Sequence, residues 1–305
     1  MSTHTLLGQN DSPTDYLTIL QSPGPAWPAP LNSAFSEIFL TEICGNVTRK
    51  GRMNRFQRAL LSSSSALVFF SSSASRAYTH CEDRLVFYQY KICPFCNRVK
   101  AYLDYLNVDY STIEVDPLRK SEISFSSYKK VPILINNEKQ YNDSDDIINL
   151  ISSKYPKNKE FYANFEYWNE YSSKKLAIYL YPNITRNFQE SLECFSYTSE
   201  IEAWSKPKQA LIQYVGALFM LVANGKIKKK YSIVDERKEL NDVLLEFTNQ
   251  LNEKKKYLQG DTITLPDILV YGVLRSIDHT TTFREIMSNQ KLRVWYGNVK
   301  AVVAR

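Results

Sequence analysis

Three things are scarce in this chain: acidic residues in its early part, paired metal ligands, and long apolar runs. No Asp or Glu occurs between Gly45 and Cys81, and the 305 residues hold only five cysteines and three histidines. A membrane-spanning helix needs about 20 apolar residues, and in this early part Ala66-Leu-Val-Phe-Phe70, flanked by serines, falls far short. A structural zinc site needs about four ligands. Cys44, Cys81, Cys194, His4, His80 and His279 supply no second pair at ligand spacing to complete Cys93 and Cys96, so no metal is expected. Few, irregularly spaced cysteines fit a reducing compartment. The net charge of +6 is mild. Lys226-Ile-Lys-Lys-Lys230 and Lys254-Lys-Lys256 follow apolar helical patterns and complement helix C-terminal dipoles. No aromatic and basic residues interleave, so nucleic acid is not an expected partner.

Residues 1–52 are rich in Ser, Pro, Asn and Thr without a sustained period, and are expected to be disordered and separable from the mature protein. Residues 53–80 are basic, serine-rich and acid-free, with Arg55, Arg58 and Arg76, the composition of a mitochondrial transit peptide. Arg76-Ala77-Tyr78 resembles an arginine-directed cleavage site, which would start the mature chain near Tyr78. The competing readings are a secretory signal with a weak core at Ala59–Phe70, plain disorder, and a basic amphipathic helix at Met53–Phe70 lying on a bilayer. The expected location is therefore mitochondrial with membrane association; the alternative is a processed chain in the cytoplasm.

What the sequence does have is Cys93-Pro94-Phe95-Cys96 between two strongly patterned runs. Leu85-Val-Phe-Tyr-Gln-Tyr90 reads as a buried strand, and Val99, Tyr102, Leu103 and Leu106 repeat on one face of a helix. Cys93 is thus expected at a helix N-terminus, where amide N–H groups and the helix dipole favour thiolate over thiol. Pro94 suits the first helical position, and Cys96 lies close enough to resolve a mixed disulfide. The plainer reading is a pair of inert buried thiols.

Downstream, Asp109–Val115 alternates as a strand that Asp116-Pro117 ends. Leu118–Tyr128 follows as a helix or an irregular segment. A strand over Lys130–Ile135, an Asn136-Asn137 turn, Lys139–Tyr141 and a helix over Ile147–Ser153 complete the domain. This order is thioredoxin-like. Pro132, opening the third strand, falls where that fold places a cis-proline facing the thiol, so Val131 would present its backbone to an extended peptide such as glutathione. Ser144 is expected to cap the next helix and to offer a donor to a carboxylate.

The second half reads as all-α. Phe161, Phe165, Trp168, Leu176 and Leu180 mark one helix, and Leu211, Tyr214, Val215, Leu218, Phe219 and Val222 a second. Leu240, Val243, Leu244, Phe247 and Leu251 mark a third. These stripes are expected to face the core, with Gly225 and Gly260 as stops. Thr264-Leu-Pro-Asp267 has capping-box spacing and opens an apolar helix to Val273, expected at the domain centre with Asp267 structural.

Phe87-Tyr-Gln-Tyr-Lys-Ile-Cys-Pro-Phe-Cys96, Phe125–Leu134, Asn142-Asp-Ser144, Tyr181–Arg186, Gln213–Met220 and Pro266–Arg275 together resemble the membrane-associated prostaglandin E synthase type 2 family, over roughly Leu85 to Val303. The resemblance implies a thioredoxin/glutaredoxin-like α/β domain at 84–154 and an all-α glutathione-transferase-like domain at 158–305. It implies isomerisation of prostaglandin H2, or a similar lipid endoperoxide, by the Cys93 thiolate. Tyr90 would donate a hydrogen bond, Cys96 would assist, and Phe95 would form an apolar wall. Glutathione would meet Val131, Pro132, Asp143 and Ser144. The resemblance also implies a homodimer and haem, although the helical half holds a lone histidine, His279, which by itself does not mark a ligand. Two alternatives stay open: a glutaredoxin-type thiol-disulfide oxidoreductase, and a non-catalytic glutathione- or haem-binding adaptor.

Overall fold

The computed structural model describes residues 85–251 and 254–303, so the expectations for 1–52 and 53–80 lie outside the described residues. A mixed sheet of four strands forms first: β1 (Leu85–Gln89), β2 (Tyr110–Glu114), β3 (Ile133–Asn136) and β4 (Lys139–Asn142), in the order β2-β1-β3-β4. β1 and β2 run parallel, joined through helix α1 (Pro94–Tyr105), while β3 is antiparallel to both β1 and β4. Helix α2 (Ser144–Lys154) follows the hairpin. The alternating apolar residues of β1 put Leu85 and Phe87 into the core together with Val99, Tyr102 and Leu103 of α1.

Several boundaries differ from the sequence reading. The third strand begins at Ile133, with Pro132 just before it, and the Val131–Pro132 bond is cis. Between 118 and 128 the regular structure is a single 3-10 turn, Ser121–Ile123. The cap of α2 is Asp143, whose carboxylate accepts the Asp145 N–H; Ser144 is the first helical residue.

The helical half holds α3 (Phe165–Glu170), α4 (Ala177–Ile184), α5 (Phe188–Cys194), α6 (Lys206–Lys230), α7 (Glu236–Thr248), α8 (Leu265–Arg275), α9 (Thr281–Ile286) and α10 (Gln290–Val303). The stripe read as one helix from Phe161 to Leu180 is divided: a 3-10 turn at Lys159–Tyr162, then α3, a π-helical segment at Tyr171–Leu176, and α4. The extra residue per turn shifts the face so that Tyr171 and Leu176 are both buried. Gly225 does not stop α6, which runs on to Lys230.

The largest departure is the face of α6. Leu211, Tyr214, Leu218 and Val222 are each more than half exposed, and Ile212, Gly216, Ala217, Met220 and Ala223 face the core instead. Both faces of this helix are apolar, so periodicity could not distinguish the inner one. By length and composition α6 is the one described helix that could cross a membrane. Here its inner face packs against α5 and the turn Ser196–Glu200.

Helix α8 is buried along almost its whole length, and Asp267 holds its start. That carboxylate accepts the Thr264 N–H (3.1 Å) and Oγ1–H (2.7 Å), the Leu258 N–H (2.9 Å) and the Trp295 Nε1–H (2.7 Å). Burial raises its pKa and the four donors oppose the rise, which marks a structural carboxylate. Helix α8 lies directly against α1, and Gly272 makes the approach possible. A Cβ there would stand 2.6 Å from the Asn97 carbonyl oxygen and 2.7 Å from the Arg98 Cα. Gly272→Ala is expected to lower unfolding free energy by about 1–3 kcal/mol, measured by urea denaturation, because neither helix backbone can yield freely.

Candidate active site

The thiol loop is assembled by local hydrogen bonds. Beyond β1 the chain turns at Tyr90, whose carbonyl accepts the Cys93 N–H at 2.9 Å. Cys93 is the N-cap of α1 with extended backbone (φ −73, ψ 120), and Pro94 occupies the first turn. Asn97, one turn along, donates from Nδ2 to the Lys91 carbonyl (2.7 Å) and the Cys93 carbonyl (3.0 Å). The loop is therefore held to its own helix.

The two cysteines are free thiols in different surroundings: Cys93 is half-buried and Cys96 wholly buried. Burial pushes the Cys96 thiol well above its ordinary pKa, and its hydrogen bond to Cys93 adds to the rise. Cys96 thus keeps its proton and can donate it to the Cys93 sulfur. Tyr90 also stays protonated, since burial first, then its nearness to Cys93 and Cys96, raises its pKa well above the ordinary value.

A cleft of about 1110 Å³, part of it open to solvent, lies over the thiol between the two domains. Tyr90, Cys93, Phe95, Val131, Pro132 and Asp143 all line it. Cys96 and Ser144 do not; both are buried behind the wall. The Ser144 hydroxyl accepts from the fully buried Arg98 Nη1 (3.1 Å), which also reaches Asp145 Oδ1 (3.1 Å), while Nη2 reaches Asn169 of α3. Burial raises the pKa of Asp143.

The helical domain supplies the apolar side: Leu180, Tyr181, Ile184, Phe195, Met220 and Ile277. The sequence reads Leu180 as core, and Tyr181, Ile184 and Met220 stand within the family-like motifs, but it marks none of these as a cleft wall, because nothing in their spacing distinguishes a cleft wall from a core. Sequence reading also missed Tyr128, Tyr197 and the rim lysines Lys120, Lys129 and Lys130. Tyr128 and the two later lysines stand within the motif that ends at Leu134, so their place beside Pro132 was the available signal. No group of residues among those described could hold a metal ion. His279, among the described residues the lone histidine, does not line the cleft, so histidine-held haem does not fit this site.

The different burial of the thiols has a direct readout. Brief iodoacetamide treatment followed by peptide mapping is expected to label Cys93 at least about tenfold faster than Cys96 and Cys194, with all three equal in urea.

Family models match twice: the glutathione S-transferase N-terminal domain at residues 87–159 and the C-terminal domain at 212–304, together more than half the chain. The chain is 28% identical to prostaglandin E synthase 2 of Mus musculus over 270 residues, covering 72% of this chain and 70% of that one. It is 29% identical to prostaglandin E synthase 2 of Danio rerio over 265 residues, 71% of this chain and 70% of that one. Among solved structures, a glutathione S-transferase of Ceriporiopsis subvermispora in complex with glutathione aligns with a TM-score of 0.48 at 13% identity, over 72% of this chain and 96% of that one. With the thioredoxin-like sheet, the helical second half and both domain matches in hand, the chain belongs to the glutathione S-transferase-like proteins, in the two-domain form that resembles prostaglandin E synthase 2.

Proposed function

We propose that this protein is a glutathione-associated, thiol-dependent isomerase that converts prostaglandin H2 into prostaglandin E2. The observation that carries the reading is the position of Cys93: a half-buried sulfur at a helix N-terminus, on the wall of a largely apolar cleft between two domains. Similarity across most of the chain to proteins named prostaglandin E synthase 2 supports a lipid endoperoxide as the substrate class.

In the proposed reaction the Cys93 thiolate attacks one endoperoxide oxygen and the O–O bond breaks. The other oxygen leaves as an alkoxide and takes a proton to become the ring hydroxyl. Loss of the ring C–H proton beside the sulfur-bound oxygen forms the ketone, breaks the S–O bond and returns the thiolate. No redox equivalent is consumed. Tyr90, kept protonated by burial, is suited to donate to the developing alkoxide. Phe95, Leu180 and Ile184 suit the lipid chains, and the rim lysines suit a carboxylate, whether of the lipid or of glutathione. Glutathione would lie along Val131, Pro132 and Asp143, with Ser144 positioning the α2 terminus rather than lining the cleft.

Purified protein given prostaglandin H2 and glutathione is expected to form prostaglandin E2. Cys93→Ser should lower kcat by at least about a hundredfold, and Cys96→Ser by less than tenfold. Turnover no faster than buffer would overturn the isomerase.

A second reading is favoured by one contact, the hydrogen bond between Cys96 and Cys93. A pair this close suits glutaredoxin-type exchange, in which Cys96 resolves a mixed disulfide. Disulfide turnover abolished by either substitution, with no lipid turnover, would select it. Binding of glutathione undiminished in Cys93→Ser, with neither activity, would select the adaptor.

The exposed row Leu211, Tyr214, Leu218 and Val222 supports pairing of two copies along α6 as part of this proposal. Leu218→Lys is then expected to shift sedimentation from dimer to monomer. The basic, acid-free stretch 53–80 supports delivery to the mitochondrion, with membrane contact through the same stretch.

A further inference from the structure

One half-buried carboxyl near the thiol has no part in the chemistry above. Glu114 ends β2, opposite Gln89 at the end of β1, on the same edge of the sheet as the thiol loop. Its Oε1 accepts the Lys91 N–H at 2.8 Å, and its Oε2 accepts from Gln89 Nε2 at 3.2 Å. The carboxylate also accepts the hydroxyl of Tyr197, a wholly buried residue of the helical domain that lines the cleft. Lys91 is two residues before Cys93, and its carbonyl is held by Asn97. Its ammonium pairs with Glu200, in the same turn as Tyr197.

We propose that Glu114 is the positioning residue that seats the Cys93 loop against the helical domain, by joining the Lys91 amide to the Tyr197 hydroxyl through one carboxyl group. The inference rests on Cys93 being the working thiol, but on neither the lipid substrate nor glutathione.

A proton on that carboxyl changes the clamp. Ionised, it accepts from all three donors; protonated, it must direct a hydrogen toward one of them, and one contact is lost or reversed. Burial raises its pKa to about 7, against the pull of the Lys91 amide, Tyr197, Gln89 and the charge of Lys100. The ionisable groups facing it are Lys91 of the loop, Lys100 of α1, and Tyr90, Cys96 and Tyr197. Burial raises the last three, so they stay neutral near pH 7, and Lys91 is paired with Glu200. Lys100, lowered by burial, is the other group whose titration could be read at the loop. Since the folded pKa lies above the ordinary carboxyl value, the neutral clamp favours stability at acid pH. That contribution fades as pH rises through about 7, while the three-donor clamp forms.

The test is the rate of Cys93 alkylation by iodoacetamide between pH 5 and 9, followed by peptide mapping on the full chain, with no lipid or glutathione present. The unsubstituted protein is expected to show an inflection near pH 7 in addition to that of the thiol itself. Glu114→Gln, which keeps the shape but cannot ionise, is expected to lose that inflection and retain the thiol's. Tyr197→Phe removes a donor that favours the charged carboxylate, and is expected to move the inflection to higher pH. Lys100→Gln serves as the control and should leave an inflection in place. A Glu114→Gln profile that superimposes on the unsubstituted one overturns the proposal, as does loss of the inflection in Lys100→Gln alone. If Glu114→Gln does not fold, Tyr197→Phe decides by whether the inflection moves. A missing prostaglandin activity would leave these profiles untouched, so the two readings fail separately.

Discussion

The close contact between α1 and α8 is the constraint from which the rest follows. Helix α1 carries the thiol at its N-terminus and belongs to the α/β half; α8 is the buried centre of the helical half. At Gly272 the two backbones come so near that a single methyl group would collide with Asn97 and Arg98. Those two residues also organise the site: Asn97 closes the thiol loop, and Arg98 reaches Ser144, Asp145 and Asn169. Tight packing at one glycine thus fixes the loop, the start of α2 and the join to α3 together.

Polar contacts then set the two halves in register around that apolar seam. Arg275 of α8 reaches Asp104 at the end of α1 at 2.7 Å, and Lys208 of α6 reaches the nearly buried Asp116 at 2.9 Å. Each pair joins an edge of the α/β half to a helix of the other. Isolated exposed pairs add little, but an ion pair with one buried partner strongly resists the loss of either member. The cleft is what remains between these attachments, with the sheet side supplying the thiol, Val131 and Pro132 and the helical side the apolar wall.

The chemistry of the cleft comes from unequal burial of like groups. Cys93 and Cys96 share one helical turn, yet one opens onto the cleft and the other is sealed behind it. Carboxyls differ likewise: Asp267 is closed in by four donors, while Glu114 meets three donors from three different elements. Position in the packed molecule, rather than residue type, decides how far each of their pKa values moves.

Much of the α/β half was legible because its signals are local. Alternation in β1, the i, i+3, i+4 row of α1 and the proline after Cys93 act over a few residues, and Pro132 could be assigned a place because the strand order around it is short-range. The capping box at Thr264 was equally readable, since three residues carry it. The inner face of α6 was not. Both of its faces are apolar, and only contact with α5 and the turn Ser196–Glu200 selects Ile212, Gly216 and Met220 over Leu211, Tyr214 and Leu218. The division at Tyr171–Leu176 and the burial of Ser144 behind Arg98 are tertiary in the same sense. The sequence by itself determined the thiol, the turn that presents it and the order of the elements, because neighbours along the chain enforce them. Only tertiary structure decided which thiol is open, which carboxyls ionise and which side chains wall the cleft, because those depend on water removed by residues up to about 170 positions away, as Arg275 is from Asp104.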